Sequence, residues 1–168
     1  EVGMLPAYLM GINIFKLRQN LLVHFKGQNK KFLKDSSIKL ANILKKKKLR
    51  NLIFLNYIPE LNKFLYWSQQ LIAESLGKKE KGFLPLISSA PKDHHSLLQL
   101  YLDGPRDKLF YIFSYDDKAG KKLNFKSLNN SLNFLDKKTL NQIKLAQKDA
   151  FLKTISKTNI PYREFKIK

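Results

Sequence analysis

The sequence predicts an α/β protein, a parallel sheet flanked by helices, on three observations. Short, nearly continuous apolar runs recur at 49–57, 83–91 and 108–115. Segments with apolar residues at helical spacing separate them, and turn residues such as Pro59, Gly77 and Gly104 punctuate the boundaries. Strand and helix alternating in this rhythm imply crossover connections, and strands buried on both faces read as continuous apolar runs rather than alternating ones.

The elements follow in chain order. SSIKLANILKKKK, 36–48, reads as an amphipathic helix in which Ser36 or Ser37 is the expected cap. Its buried stripe is either Ile38, Ala41 and Leu44 or Leu40, Ile43 and Leu44, and Lys45 to Lys48 sit where the helix dipole favours cations. LRNLIFLNY, 49–57, is a buried strand. Pro59 suits a first helical position, and Leu61, Phe64, Leu65, Ser68, Leu71 and Ile72 then repeat at three and four spacing until Gly77. FLPLISSAP, 83–91, is the second strand, HHSLLQLYLDG a short helix ended by Gly104, and KLFYIFSY, 108–115, the third strand. LNFKSLNNSLNF is the one low-complexity candidate. Thr139 to Gln142 offers a capping box for a helix through Phe151, and REFKIK, 163–168, is a final strand.

Length and composition narrow the classes. The 168 residues, 43% hydrophobic and 12% aromatic, suffice for a single domain with a packed core, and one domain over 1–168 is expected. The chain opens on Glu1 and runs directly into VGMLPAYLMG, so a piece of a longer protein is expected. Without cysteine there are no disulfides, thiolate nucleophiles or cysteine metal sites, and with three histidines any metal would need carboxylate ligands. No metal and no cofactor are expected. The apolar stretch from Val2 to Phe15 is broken by Pro6, Gly11 and Asn13, is short of the ~20 residues that span a bilayer, and lacks signal-peptide features. A soluble cytoplasmic protein without a membrane partner is the expectation.

The net charge of +19 raises the question of a nucleic-acid partner. Its make-up argues against one. Arginine supplies only Arg18, Arg50, Arg106 and Arg163 of the 32 basic residues, whereas bidentate base and phosphate recognition favours the guanidinium fork. The aromatic residues also follow core periodicity without interleaving the lysine runs.

Two segments concentrate polar residues suited to a site. In YWSQQLIAESLGKK, Gln70, Glu74 and Lys78 stand at i, i+4 and i+8, which places them on one helical face; the bland reading is an exposed face with a weak ion pair. In PKDHHS, Asp93 is the expected N-cap, with His94 and His95 in the first turn, just past the carboxyl end of the second strand. A capped surface histidine is the ordinary alternative.

Together these segments resemble the phosphoglucose isomerase (glucose-6-phosphate isomerase) family, in its shorter bacterial form. AESLGK with Gln70 is similar to that family's ESNGK element, and KDHHSLLQLYLDG to its GQH-x-x-x-QL-x-x-x-G element, with His95, Gln99 and Gly104 in matching places. The resemblance runs from VGMLPA to the strand after DKLF and weakens past residue 115. It implies a doubly wound sugar isomerase (SIS-like) domain, incomplete at both ends, whose parent interconverts glucose 6-phosphate and fructose 6-phosphate through a cis-enediol. Glu74 would move the proton between C1 and C2, Gln70 would help bind the substrate, and His95 would open the sugar ring, reaching the site across a homodimer interface. Lys78, Asp93 and His94 would support them. Three positions depart from the pattern: Leu76 replaces an asparagine, and Asp93-His94 replace Gly-Gln. The family's phosphate loop and an arginine would precede Glu1, and a catalytic lysine would follow Lys168, so the 168 residues alone are expected to be inactive. A phosphosugar-binding regulator on the same fold and a basic nucleic-acid-binding domain are the alternatives. The residue types suit isomerisation in their own right, since it needs a carboxylate base beside a carbonyl and a group near neutrality for ring opening.

Overall fold

The computed structural model describes residues 2–46, 48–115, 120–124 and 130–167. The chain forms two compact units, Glu1–Lys47 and Lys48–Lys168.

The first unit is helical: α1 (Met4–Leu9), α2 (Ile14–Arg18), a 3-10 turn (Leu21–Phe25) and α3 (Gly27–Lys46). Asn13 caps α2 by accepting from the Lys16 amide at 2.9 Å. The long helix begins nine residues before the expected serine cap. Nothing between Gly27 and Ser36 breaks a helix, and Ser37 sits inside it, its hydroxyl donating to Leu33 O at 3.0 Å. No described residue of α3 is buried; Leu40, Ile43 and Leu44 are half-buried and Ile38 is exposed, so the second of the two expected stripes is the closer. Lys45 and Lys46 fall in its last turn, while Lys47 lies outside the described residues.

The second unit is the α/β layer structure. It contains β1 (Asn51–Asn56), a 3-10 turn (Pro59–Leu61), α4 (Asn62–Leu76), β2 (Leu84–Ser89), α5 (Lys92–Leu102), β3 (Lys108–Tyr115), a 3-10 turn (Asn130–Leu135), α6 (Leu140–Lys157) and β4 (Tyr162–Ile167). All strand pairs are parallel, in the order β2-β1-β3-β4, as the apolar runs imply. The chain steps from β1 to one side and from β3 to the other. Right-handed crossovers therefore put α4 on one face and α5 with α6 on the other, which is doubly wound.

Burial follows from that layering. Ile53, Leu55, Phe110 and Ile112 join Tyr101 of α5 and Phe151 and Ile155 of α6 in one core. On the opposite face Phe54, Tyr111, Phe113 and Phe165 form a run of ring contacts, with Phe113 and Phe165 stacked at 4.9 Å. The expected capping box is present at α6: Thr139 Oγ1 accepts from the Gln142 amide and Gln142 Oε1 accepts from the Thr139 amide. The helix runs past Phe151 to Lys157, because Phe151, Ile155 and Lys148 are all buried on its inner face. Lys148, only 3% exposed, is held by Glu164 of β4 and by Asp149. Part of the Asn-rich stretch, 125–129, lies outside the described residues.

Candidate functional site

Asn56 organises the carboxyl end of β1. Its buried side chain donates to Ile58 O (2.7 Å) and Asn62 Oδ1 (3.0 Å) and accepts from the Ile58 amide (3.0 Å), which fixes the entry into α4. Of α4's residues only Leu65 is buried, and Gln69 reaches across to donate to Pro85 O of β2 at 2.6 Å. One turn later Gln70 Nε2 donates to Glu74 Oε1 at 2.9 Å, both side chains exposed. The carboxylate is thus oriented by an amide and open to solvent in this chain, not enclosed. Lys78 does not continue their face: α4 stops at Leu76, the Gly77 amide bonds Ala73 O, and a Cβ at Gly77 would meet that oxygen at 2.5 Å. Trp67 is exposed and leans on Phe64 at 5.7 Å.

The histidines stand at the other end of the sheet. Asp93 is inside α5 and not its N-cap, a place that Pro91 takes. Its carboxylate points back to the strand, where Oδ2 accepts from the Ser89 amide (2.7 Å) and the Ser88 hydroxyl (3.0 Å), pinning the helix to β2. His94 turns inward. Its Nε2 lies 2.8 Å from Tyr57 Oη, with Tyr57 edge-on at 5.7 Å and Phe151 at 5.2 Å. Burial pulls the His94 imidazole below the ordinary histidine range, partly opposed by Asp93. Burial, with Asp149 adding to it, pushes the Tyr57 phenol well up. Both groups are therefore neutral near pH 7. His95, one residue on, is exposed.

Glu74 and His95 are not brought together. Because β1 and β2 are parallel, α4 must run back against them, and Glu74 lies five residues beyond the Gln69 contact near β2's amino end. At ~1.5 Å per helical and ~3.3 Å per strand residue, Glu74 stands about 20 Å along the sheet axis from the start of α5. No single sugar bridges that distance within one chain.

No sequence motif singles out Tyr57, Lys144 and Tyr115. They line an open cavity of about 390 Å³ with Ile58, Glu60 and Asn141, at the carboxyl ends of β1 and β3 where the winding reverses. Two of its polar side chains bond to its own walls: Lys144 Nζ donates to Tyr57 O (3.3 Å) and Asn141 Nδ2 to Tyr115 O (3.1 Å). Finding it required the strand order, which no local pattern carries. Among the described residues no group of three or more His, Asp or Glu could hold a metal ion, and no helix is long and apolar enough to cross a membrane.

No family model matches the chain. Relatives do. A protein of Methanocaldococcus jannaschii named glucose-6-phosphate isomerase is 34% identical over 133 residues, 76% of this chain and 33% of its own length. Proteins of the same name from Mycoplasmopsis pulmonis (32% over 167 residues, 95% of this chain, 38% of theirs) and Mycoplasma capricolum (31% over 148 residues, 84% and 35%) agree. In structure, a hypothetical protein of Thermus thermophilus superposes with a TM-score of 0.67 at 23% identity, over 76% of this chain and 32% of that one, a likeness of fold. By sequence, then, the chain belongs to the glucose-6-phosphate isomerase family, of whose curated members it spans about a third of the length.

Proposed function

We propose that these residues are the central and later part of a sugar isomerase domain that interconverts glucose 6-phosphate and fructose 6-phosphate in the glycolytic and gluconeogenic direction. The sequence likeness to named isomerases over most of the chain carries this reading. Gln70 holds Oε1 of Glu74, which leaves Oε2 to take a proton from C2 of the open-chain aldose and return it to C1 through a cis-enediol, while O1 gains a proton and O2 loses one. Burial by the rest of the enzyme would tune that carboxylate. Before this step, His95 assists ring opening: a proton leaves O1, one reaches the ring oxygen, and the C1–O5 bond breaks. Lys78, beyond the helix end, adds positive charge beside the substrate.

The separation of about 20 Å along the sheet supports a homodimer in which each site takes Glu74 from one subunit and His95 from the other. The enzyme would work in the cytoplasm on hexose phosphates, and residues 1–168 alone would be inactive for want of the phosphate grip.

Subunit mixing in the whole enzyme tests the roles. Glu74→Gln and His95→Ala should each lower isomerisation, by about 10³-fold for the base. Co-assembled, the two inactive variants should regain activity, since a mixed dimer rebuilds one intact site. Full activity in Glu74→Gln would remove the base assignment; no recovery on mixing would remove the shared site.

A further inference from the structure

Successive residues on a helix diverge by ~100°, so fixing one of an adjacent pair sets the direction of the other. At the start of α5 that pair is His94, half-buried, and His95, exposed. We propose that Tyr57 is a positioning residue for ring opening: its hydroxyl fixes the His94 ring, and His94 in turn holds the first turn of α5 so that His95 stands out toward the sugar it serves. This rests on the isomerase reading above.

Four observations carry it. Tyr57 is 3% exposed, and its hydroxyl meets His94 Nε2 at 2.8 Å beside a core cluster that includes Ile53, Leu55, Phe110 and Phe151. A phenylalanine would fill that volume without requiring a partner for a buried hydroxyl. The imidazole also meets Phe151, at 5.2 Å between ring centres, so the ring has partners on two elements, β1's end and α6. Tyr57 is itself fixed through its backbone: its amide donates to Phe113 O at 3.0 Å and its carbonyl accepts from Lys144. Finally, Asp93 anchors the same turn to Ser88 and Ser89, and the Tyr57–His94 contact gives that turn a second point of attachment.

The experiment isolates ring opening. In the whole enzyme carrying Glu74→Gln, proton transfer between C1 and C2 is removed, and anomerisation of glucose 6-phosphate reports ring opening alone. Adding Tyr57→Phe keeps the ring contacts and deletes one hydrogen bond, so the maximal anomerisation rate should fall about five- to tenfold with KM unchanged. His94→Ala, the second variant, should show a similar loss, and Tyr57→Phe on top of it should add nothing, because the hydroxyl then has no imidazole to hold. Undiminished anomerisation in Tyr57→Phe, or losses that multiply in the double variant, would overturn the proposal. Wild-type enzyme that neither isomerises nor anomerises the sugar would overturn the isomerase reading and this inference with it. Anomerisation that is present but indifferent to Tyr57 would overturn this inference alone.

Discussion

Replacing Leu65 by alanine tests whether α4, the helix that bears Gln70 and Glu74, is docked as described. Leu65 is fully buried, the single buried residue among α4's fifteen, while Leu71 on the same helix is 42% exposed. The substitution removes three carbons, about 2.4 kcal/mol of transfer free energy at ~0.8 kcal/mol each. The cavity left between helix and sheet raises the total to about 3 to 4 kcal/mol. The unit from Lys48 to Lys168 is roughly 120 residues long, and at that size each kcal/mol shifts Tm by about 4 °C. Leu65→Ala should therefore lower Tm by about 12 °C or more, and Leu71→Ala by no more than about 4 °C. Thermal and urea denaturation of residues 1–168, followed by far-UV circular dichroism, give the Tm shifts and the free energies in parallel. Equal losses from the two leucines would mean that α4 does not rest on the sheet through Leu65, and the orientation of Glu74 argued from that docking would fall with it.

Two further outcomes concern titratable groups that the fold perturbs. Because the His94 pKa is depressed in the fold, first by burial, the unfolded chain takes up its proton at higher pH than the folded one. Its stabilising contribution is therefore complete above about pH 6.5 and is lost as pH falls toward the lower folded value; His94→Gln should flatten that part of the urea midpoint against pH curve. Lys148 is pulled down by burial, but Glu164 and Asp149 outweigh this and hold it above its ordinary value. Its contribution is present below about pH 10.5 and is lost as pH rises through the folded value. Glu164→Gln should cost about 2 kcal/mol, and Lys148→Met less, because the first leaves a buried ammonium with poorer partners while the second removes it. A smaller loss from Glu164→Gln than from Lys148→Met would contradict that account.

Much of the layer structure was legible because it is written locally. The run from Leu49 to Tyr57 is apolar without alternation since both faces of β1 are covered, and the Thr139–Gln142 box marks the start of α6 through two bonds spanning four residues. The start of α3 was not legible, for serines with a free choice of partner read as caps when they can equally bond back into a helix, as Ser37 does. Asp93 misled in the same way: a carboxylate just ahead of a helical run looks like a cap, yet its partners are Ser88 and Ser89 of the preceding strand. For the candidate site, residues could be nominated from the sequence, but their geometry could not. Glu74 and His95 are 21 positions apart and look adjacent in the chain, but a crossover helix reverses direction and delivers them to opposite ends of the sheet. Tyr57 reads only as the tail of a strand, because its partner His94 lies 37 residues on and is reached only after α4 and β2 are in place.

The strand order also bears on how the chain folds as it is made. β1 is an inner strand yet precedes the other three in the chain, and its partners arrive late: Asn51 pairs with Leu84 and then with Lys108, 57 residues downstream. No two neighbours in the sheet can form a local hairpin, so each pairing must close a long loop before any ladder bonds reward it. On the ribosome the apolar segment LIFLN emerges well before either flank that will cover it. Folding should therefore be slow for a unit of this size, and nascent chains halted before Tyr115 should be the ones that chaperones hold.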